Sequence, residues 1–164
     1  MQHLHTLDLP GNTMTGVGLT ALAAVLPPRM QSLSLGRSDR QSTHYNVGKI
    51  GPDACVALAH ALRPSASTLR NLWLSGMGFG DAGAIALADM LSTGGEAMTI
   101  LTLDRNDIGN DGTAAILAVL PKLEGLRSFG YSDNDYSDMM EADVLAATSQ
   151  RPYNAKFIGS ACLP

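Results

Sequence analysis

Cysteine is scarce in this 164-residue sequence, with only Cys55 and Cys162 present. That excludes the dense disulfide framework with which small secreted domains make up for a thin core, and it leads us to expect an intracellular, cytoplasmic chain in a reducing compartment. A surplus of positive charge is also missing. The formal charge is -4 and the isoelectric point lies near 5.4, so no broad basic field exists to draw in phosphate backbones or an anionic lipid surface. We therefore expect no nucleic acid among the partners. Charged residues make up 16% and apolar residues 45%, which is not the charge-rich, apolar-poor balance of a disordered chain. The opening MQHLHTLDLPGN has neither the positive start and apolar core of a secretory signal nor the arginines of a transit peptide. Long hydrophobic runs are absent as well: Leu19 to Pro28, interrupted by Thr20, is about half of the ~20 residues needed to cross a bilayer. A single soluble domain with one core, and no membrane insertion, is the expectation.

What the chain does have is repetition. One phrase recurs as Leu4-His-Thr-Leu7-Asp-Leu9, Met30-Gln-Ser-Leu33-Ser-Leu35, Leu69-Arg-Asn-Leu72-Trp-Leu74 and Met98-Thr-Ile-Leu101-Thr-Leu103. A degenerate fifth copy is read from Leu123 and Leu126, with Ser128 where the third apolar residue belongs. The starts at 4, 30, 69, 98 and 123 are spaced by 26, 39, 29 and 25 residues, so the second interval contains an insertion.

A second pattern follows each phrase. Met14, Gly18, Leu22 and Leu26 recur as Ile50, Ala54, Leu58 and Leu62, then as Phe79, Gly83, Leu87 and Leu91, then as Ile108, Gly112, Ile116 and Leu120. Steps of four keep one face of a helix apolar, whereas the alternation within each phrase suits a strand. Neither layer can bury itself alone. Stacked units make a parallel sheet on one side and a helix layer on the other, with a continuous core between them. The spacing predicts helices near 81–91 and 111–120, and Leu72, Leu74, Leu101 and Leu103 buried in adjacent parallel strands.

LxxLxL, then Asn, then a helix with a small residue near its start resembles the ribonuclease-inhibitor-like class of leucine-rich repeat proteins, over nearly the whole chain. The resemblance implies an α/β solenoid of about five repeats, with a curved parallel sheet on the concave side and helices on the convex side. The repeats fall near 4–29, 30–68 with an insertion at 38–47, 69–97 and 98–122, followed by a degenerate capping repeat at 123–164. Asn12 and Asn106 match the family's asparagine, whose amide satisfies backbone groups in the turn out of the strand. Gly48 and Met77 depart from it. The insertion reads as an exposed loop, and Tyr131 to Asp138 as an irregular polar stretch of the cap. Leu4 opens a full repeat with no capping unit ahead of it, which implies a fragment or a partner at that end.

Residues that resemble chemical motifs have simpler explanations. Gly78-Phe-Gly80-Asp-Ala-Gly83 is a literal dinucleotide fingerprint, but Gly80 and Gly83 occupy repeat positions that also hold Gly51 and Ala54, and Gly109 and Gly112. Gly48-Lys49 lacks the Ser or Thr that should follow a phosphate loop. His3 and His5 lack the further ligands of a structural zinc site. Cys55 has no acid or histidine placed to activate it and reads as a packed small side chain. Asp133, Asp135 and Asp138 do not meet the calcium-loop pattern. We expect no catalytic residue, no metal and no cofactor.

The outward positions of the strands are the informative surface. At the central position we read Asp8, Ser34, Trp73, Thr102 and Arg127, with Arg70 on the strand of Trp73, and Arg37, Asp104 and Arg105 toward the strand ends. Burial of Trp73 would break the alternation of Leu72 and Leu74, and Trp and Arg are enriched at binding hot spots. These seven charged and aromatic residues, Trp73, Arg70, Arg37, Arg105, Arg127, Asp8 and Asp104, are the candidate protein-binding set. The expected role is a non-enzymatic interaction module or scaffold, a subunit of a larger intracellular assembly. Two alternatives stand beside it: a regulator of a small GTPase, since Ran GTPase-activating proteins are built from similar repeats, and the sensing fragment of a larger receptor.

Overall fold

The structure, a computed structural model, describes residues 3–36 and 50–149. Five strands, β1 (Thr6–Asp8), β2 (Ser32–Ser34), β3 (Asn71–Trp73), β4 (Ile100–Thr102) and β5 (Ser128–Gly130), lie in one parallel sheet in sequence order. Five helices alternate with them: α1 (Gly16–Ala23), α2 (Pro52–Leu62), α3 (Gly80–Ser92), α4 (Asn110–Val119) and α5 (Asp138–Ser149). This is the α/β leucine-rich-repeat solenoid, and α3 and α4 fall where the four-residue spacing puts them.

The core is a ladder of equivalent side chains. Leu33, Leu72, Leu101 and Phe129 occupy one register position in β2 to β5 and are 2% exposed or less. Leu74, Leu103, Leu87 and Ile116 are fully buried beside them, and the helix residues close the interior from the other side. At the start of the ladder Leu7 and Leu9 are only half-buried, since among the described residues β1 is the edge of the sheet.

Small residues set how closely the helices approach. A Cβ at Gly83 would lie 3.0 Å from the Cβ of Cys55, and one at Gly112 would lie 3.0 Å from the Cβ of Ala84. Gly78 and Gly80 take left-handed backbone, φ 74° and 56°, in the turn that leads into α3. Each glycine of the dinucleotide-like motif thus has a packing or turn reason.

Caps reach across repeats. α4 has no capping side chain at Gly109, and instead the N–H groups of Gly109 and Gly112 both donate to Asp81 Oδ1 at 2.8 Å, from the first turn of α3. Asn110 Oδ1 accepts the N–H of Ser137 in the same sense, one repeat further on. Such bonds answer orphan donors at a helix start.

The fifth repeat differs from the sequence expectation. Leu101 pairs with Phe129 and Thr102 with Gly130, so the repeat phrase is Leu126-Arg-Ser-Phe129-Gly-Tyr131 and starts at Leu126, not at Leu123. Phe129 and Tyr131 fill leucine positions, both buried, with rings stacked at 5.3 Å between centroids. Ser128 is therefore an outward residue before Phe129, not a defective core position. The polar stretch after Tyr131 is the ordinary turn of a repeat, and α5 completes the unit. The insertion at 38–47 and the segment 150–164 lie outside the described residues.

Candidate functional site

Five parallel strands bring some of the candidate residues to one face. The register aligns Asp8, Ser34, Trp73, Thr102 and Gly130 in a central row, and Thr6, Ser32, Asn71, Ile100 and Ser128 in the row before it. Trp73 sits between Ser34 and Thr102 as expected. It is half-buried while Leu72 and Leu74 on either side are fully buried, so its ring belongs to the open face of the sheet.

Beyond the strands the face continues in a short polar ladder. Ser75 Oγ donates to Asp104 Oδ2 at 3.2 Å, while Asp104 Oδ1 accepts the N–H of Ser132 at 3.0 Å and its hydroxyl at 2.6 Å. A Cβ at Gly130 would collide with Asp104 Oδ2, which puts the carboxylate over the bare backbone of β5 on this same face.

Among the described residues, no arginine stands in the row of the tryptophan. Arg127 is not in the central row, where Gly130 stands; it precedes β5, beside Thr99, to whose carbonyl its N–H donates at 2.8 Å. The misplacement followed from starting the fifth repeat three residues early. Arg70 precedes β3 in that same outer row, its carbonyl accepting the Thr99 N–H at 2.7 Å, and its side chain is exposed three residues from Trp73. Arg105 lies in the turn after β4 with left-handed backbone, φ 58°, and its Nε donates to Asp133 Oδ2 at 2.9 Å. Arg37 lies outside the described residues. Asp8 is exposed at the end of β1, and among the described residues its carboxylate has no ion pair or hydrogen bond.

The turn asparagines are more than the sequence suggested. Asn106, fully buried, accepts the N–H groups of Met77 at 2.8 Å and Gly78 at 3.1 Å, and donates to the Leu74 carbonyl at 2.9 Å. Met77, which lacks the amide, is thus served by the following repeat. Asn134 was missed. It holds the same post in the fifth repeat, donating to the Leu103 carbonyl at 3.0 Å, and the match of Ser132-Asp-Asn134-Asp to Asp104-Arg-Asn106-Asp was the available signal.

Elsewhere the chemistry is quiet. Cys55 is buried, and burial pushes its thiol up to about 12. Burial likewise raises the Tyr131 phenol, although its hydrogen bond with Thr113, 3.0 Å long, works against the shift. Among the described residues no group of three or more histidine, cysteine or acidic side chains is placed to hold a metal ion, and no helix is long and apolar enough to cross a membrane.

The stacked strand-turn-helix units have the architecture of a leucine-rich-repeat solenoid. A family model described as Leucine Rich repeat matches residues 1–23, which span the first strand, its turn and α1. No curated protein matches the sequence.

Proposed function

We propose that this chain is a non-enzymatic protein-interaction module of the ribonuclease-inhibitor-like class, a subunit of a larger intracellular assembly, that binds its partner through the concave sheet. The observation that carries this reading is Trp73, half-exposed at the middle of a five-strand row whose other members are small or polar. A large amphipathic ring in that setting loses little freedom on binding and is the residue type most often found at a hot spot. Capture of partners by the wild-type chain and by Trp73→Ala, followed by Kd measurement on the captured protein, tests it. Binding should weaken by about 2 kcal/mol or more, roughly thirtyfold, with the melting temperature nearly unchanged. Unchanged affinity would rule out the concave face as the working surface.

The first repeat supports a second contact. Leu7 and Leu9 are half-exposed where their counterparts Leu33 and Leu35 are buried, so a partner seated on that edge gains apolar burial. The reading as a regulator of small GTPases rests on fold likeness alone, and a GTP turnover assay separates it from a pure binding module.

A further inference from the structure

The three rows of the concave face, from Thr6 to Ser128, Asp8 to Gly130 and Ser75 to Ser132, contain two charged side chains among the described residues, and both are carboxylates. Asp8 lies two strands from Trp73 in its own row, about 10 Å away at the usual strand spacing. Asp104 lies one strand away on the other side and two residues further along, fixed by Ser75 and Ser132. The neighbours of the indole are uncharged: the hydroxyls of Ser34 and Thr102 beside it, and Asn71 on its own strand, whose Oδ1 accepts the Thr99 hydroxyl at 2.8 Å. The cations are elsewhere. Arg105 is held by Asp133, and Arg70 and Arg127 stand in the row that precedes the strands, about 10 Å along from the central row by strand rise.

We propose that the concave face receives an arginine side chain from an extended segment of the partner, laid on Trp73 with Asp8 and Asp104 as its countercharges. A guanidinium carries five N–H donors and no acceptor, so it suits a surface of carboxylates and hydroxyls. It is also the cation that packs best against an indole face. An acidic segment would meet two carboxylates and, among the described residues, no cation in these three rows. This inference rests on the concave-face reading and adds the charge of the partner to it.

The chain has a single tryptophan, so its fluorescence reports on Trp73 alone. The probes are two capped nine-residue peptides on a glycine-serine backbone, one with three arginines and one with three glutamates. The arginine peptide should change the emission saturably, and the response should weaken as salt is raised. The glutamate peptide should leave it unchanged. Asp8→Lys, a change at an exposed residue whose fold is checked by circular dichroism, should weaken the arginine peptide at least tenfold. Equal response to both peptides, no response to the arginine peptide, or an unaltered affinity in Asp8→Lys overturns the proposal. If Trp73→Ala still abolishes partner binding in that case, the concave-face reading stands and only the partner's charge was misassigned; if it does not, both fall.

Discussion

Asn134 Oδ1 accepts the backbone N–H of Asn106 at 2.9 Å, so the amide that holds one turn is itself anchored by the amide of the next. Together the two asparagines tie three successive turns, at Met77, Asn106 and Asn134, through buried or half-buried hydrogen bonds.

Replacing Asn106 with Ala strands the Met77 and Gly78 N–H groups and the Leu74 carbonyl together. An unsatisfied buried polar group costs about 1–3 kcal/mol, and partial relaxation leaves an expected loss of roughly 3 kcal/mol for the variant. Urea unfolding with an unchanged m-value measures it. A loss under about 1 kcal/mol would mean that water serves those groups equally well.

The register of β5 makes Phe129 a core residue equivalent to Leu101. Phe129→Ala should therefore cost about 3–5 kcal/mol, comparable to the 2–5 kcal/mol expected for Leu101→Ala. Arg127→Ala, at an exposed position, should stay within about 0.5 kcal/mol of wild type. If Phe129→Ala were as mild as Arg127→Ala, the fifth unit would be a loose cap and not a repeat.

Cys55 supplies a pH signature. Its folded thiol is raised from 9.0 to about 12 by burial, so the protein binds that proton more tightly folded than unfolded. The associated stability is fully present below pH 9 and is lost as pH climbs from 9 to 12. Tyr131 and Tyr136, whose phenols burial also raises, add a slope of the same sign above pH 10. Cys55→Ala should flatten the part that begins near pH 9 and leave the tyrosine part. In a Cys162→Ser background, Cys55 should react with an aromatic disulfide reagent at pH 8 only at the rate of unfolding. Rapid reaction in the native state would contradict the burial.

Much of the fold was legible because two periods repeat without interference. Period two placed Leu72, Leu74, Leu101 and Leu103, and period four placed α3 and α4. The fifth unit was misread because Phe129 and Tyr131 stand where an aliphatic residue was sought, and a ring fills that volume as well as a leucine does. The site was legible only to the level of Trp73. Alternation tells which way a side chain leaves its strand, but not which neighbour claims it. Nothing in the spacing revealed that Arg105 pairs with Asp133, that Asp104 is pinned between two serines, or that the fifth central position is bare glycine.

The cross-repeat bonds of the two turn asparagines, Asn106 and Asn134, run one way along the solenoid: each amide serves the turn before its own. Asn134 completes the Asn106 turn and Asn106 completes the Met77 turn, so for these bonds each turn depends on the repeat that follows it and not on the one before. The stack consequently has a polarity in its undoing. Peeling away the fifth unit opens the clasp on the fourth, and the fourth then releases the third, so unravelling from that end removes its own next obstacle at every step. Fraying at the first repeat takes no such asparagine clasp with it, since among the described residues the Asn12 amide reaches the Leu9 carbonyl of its own turn and no other turn.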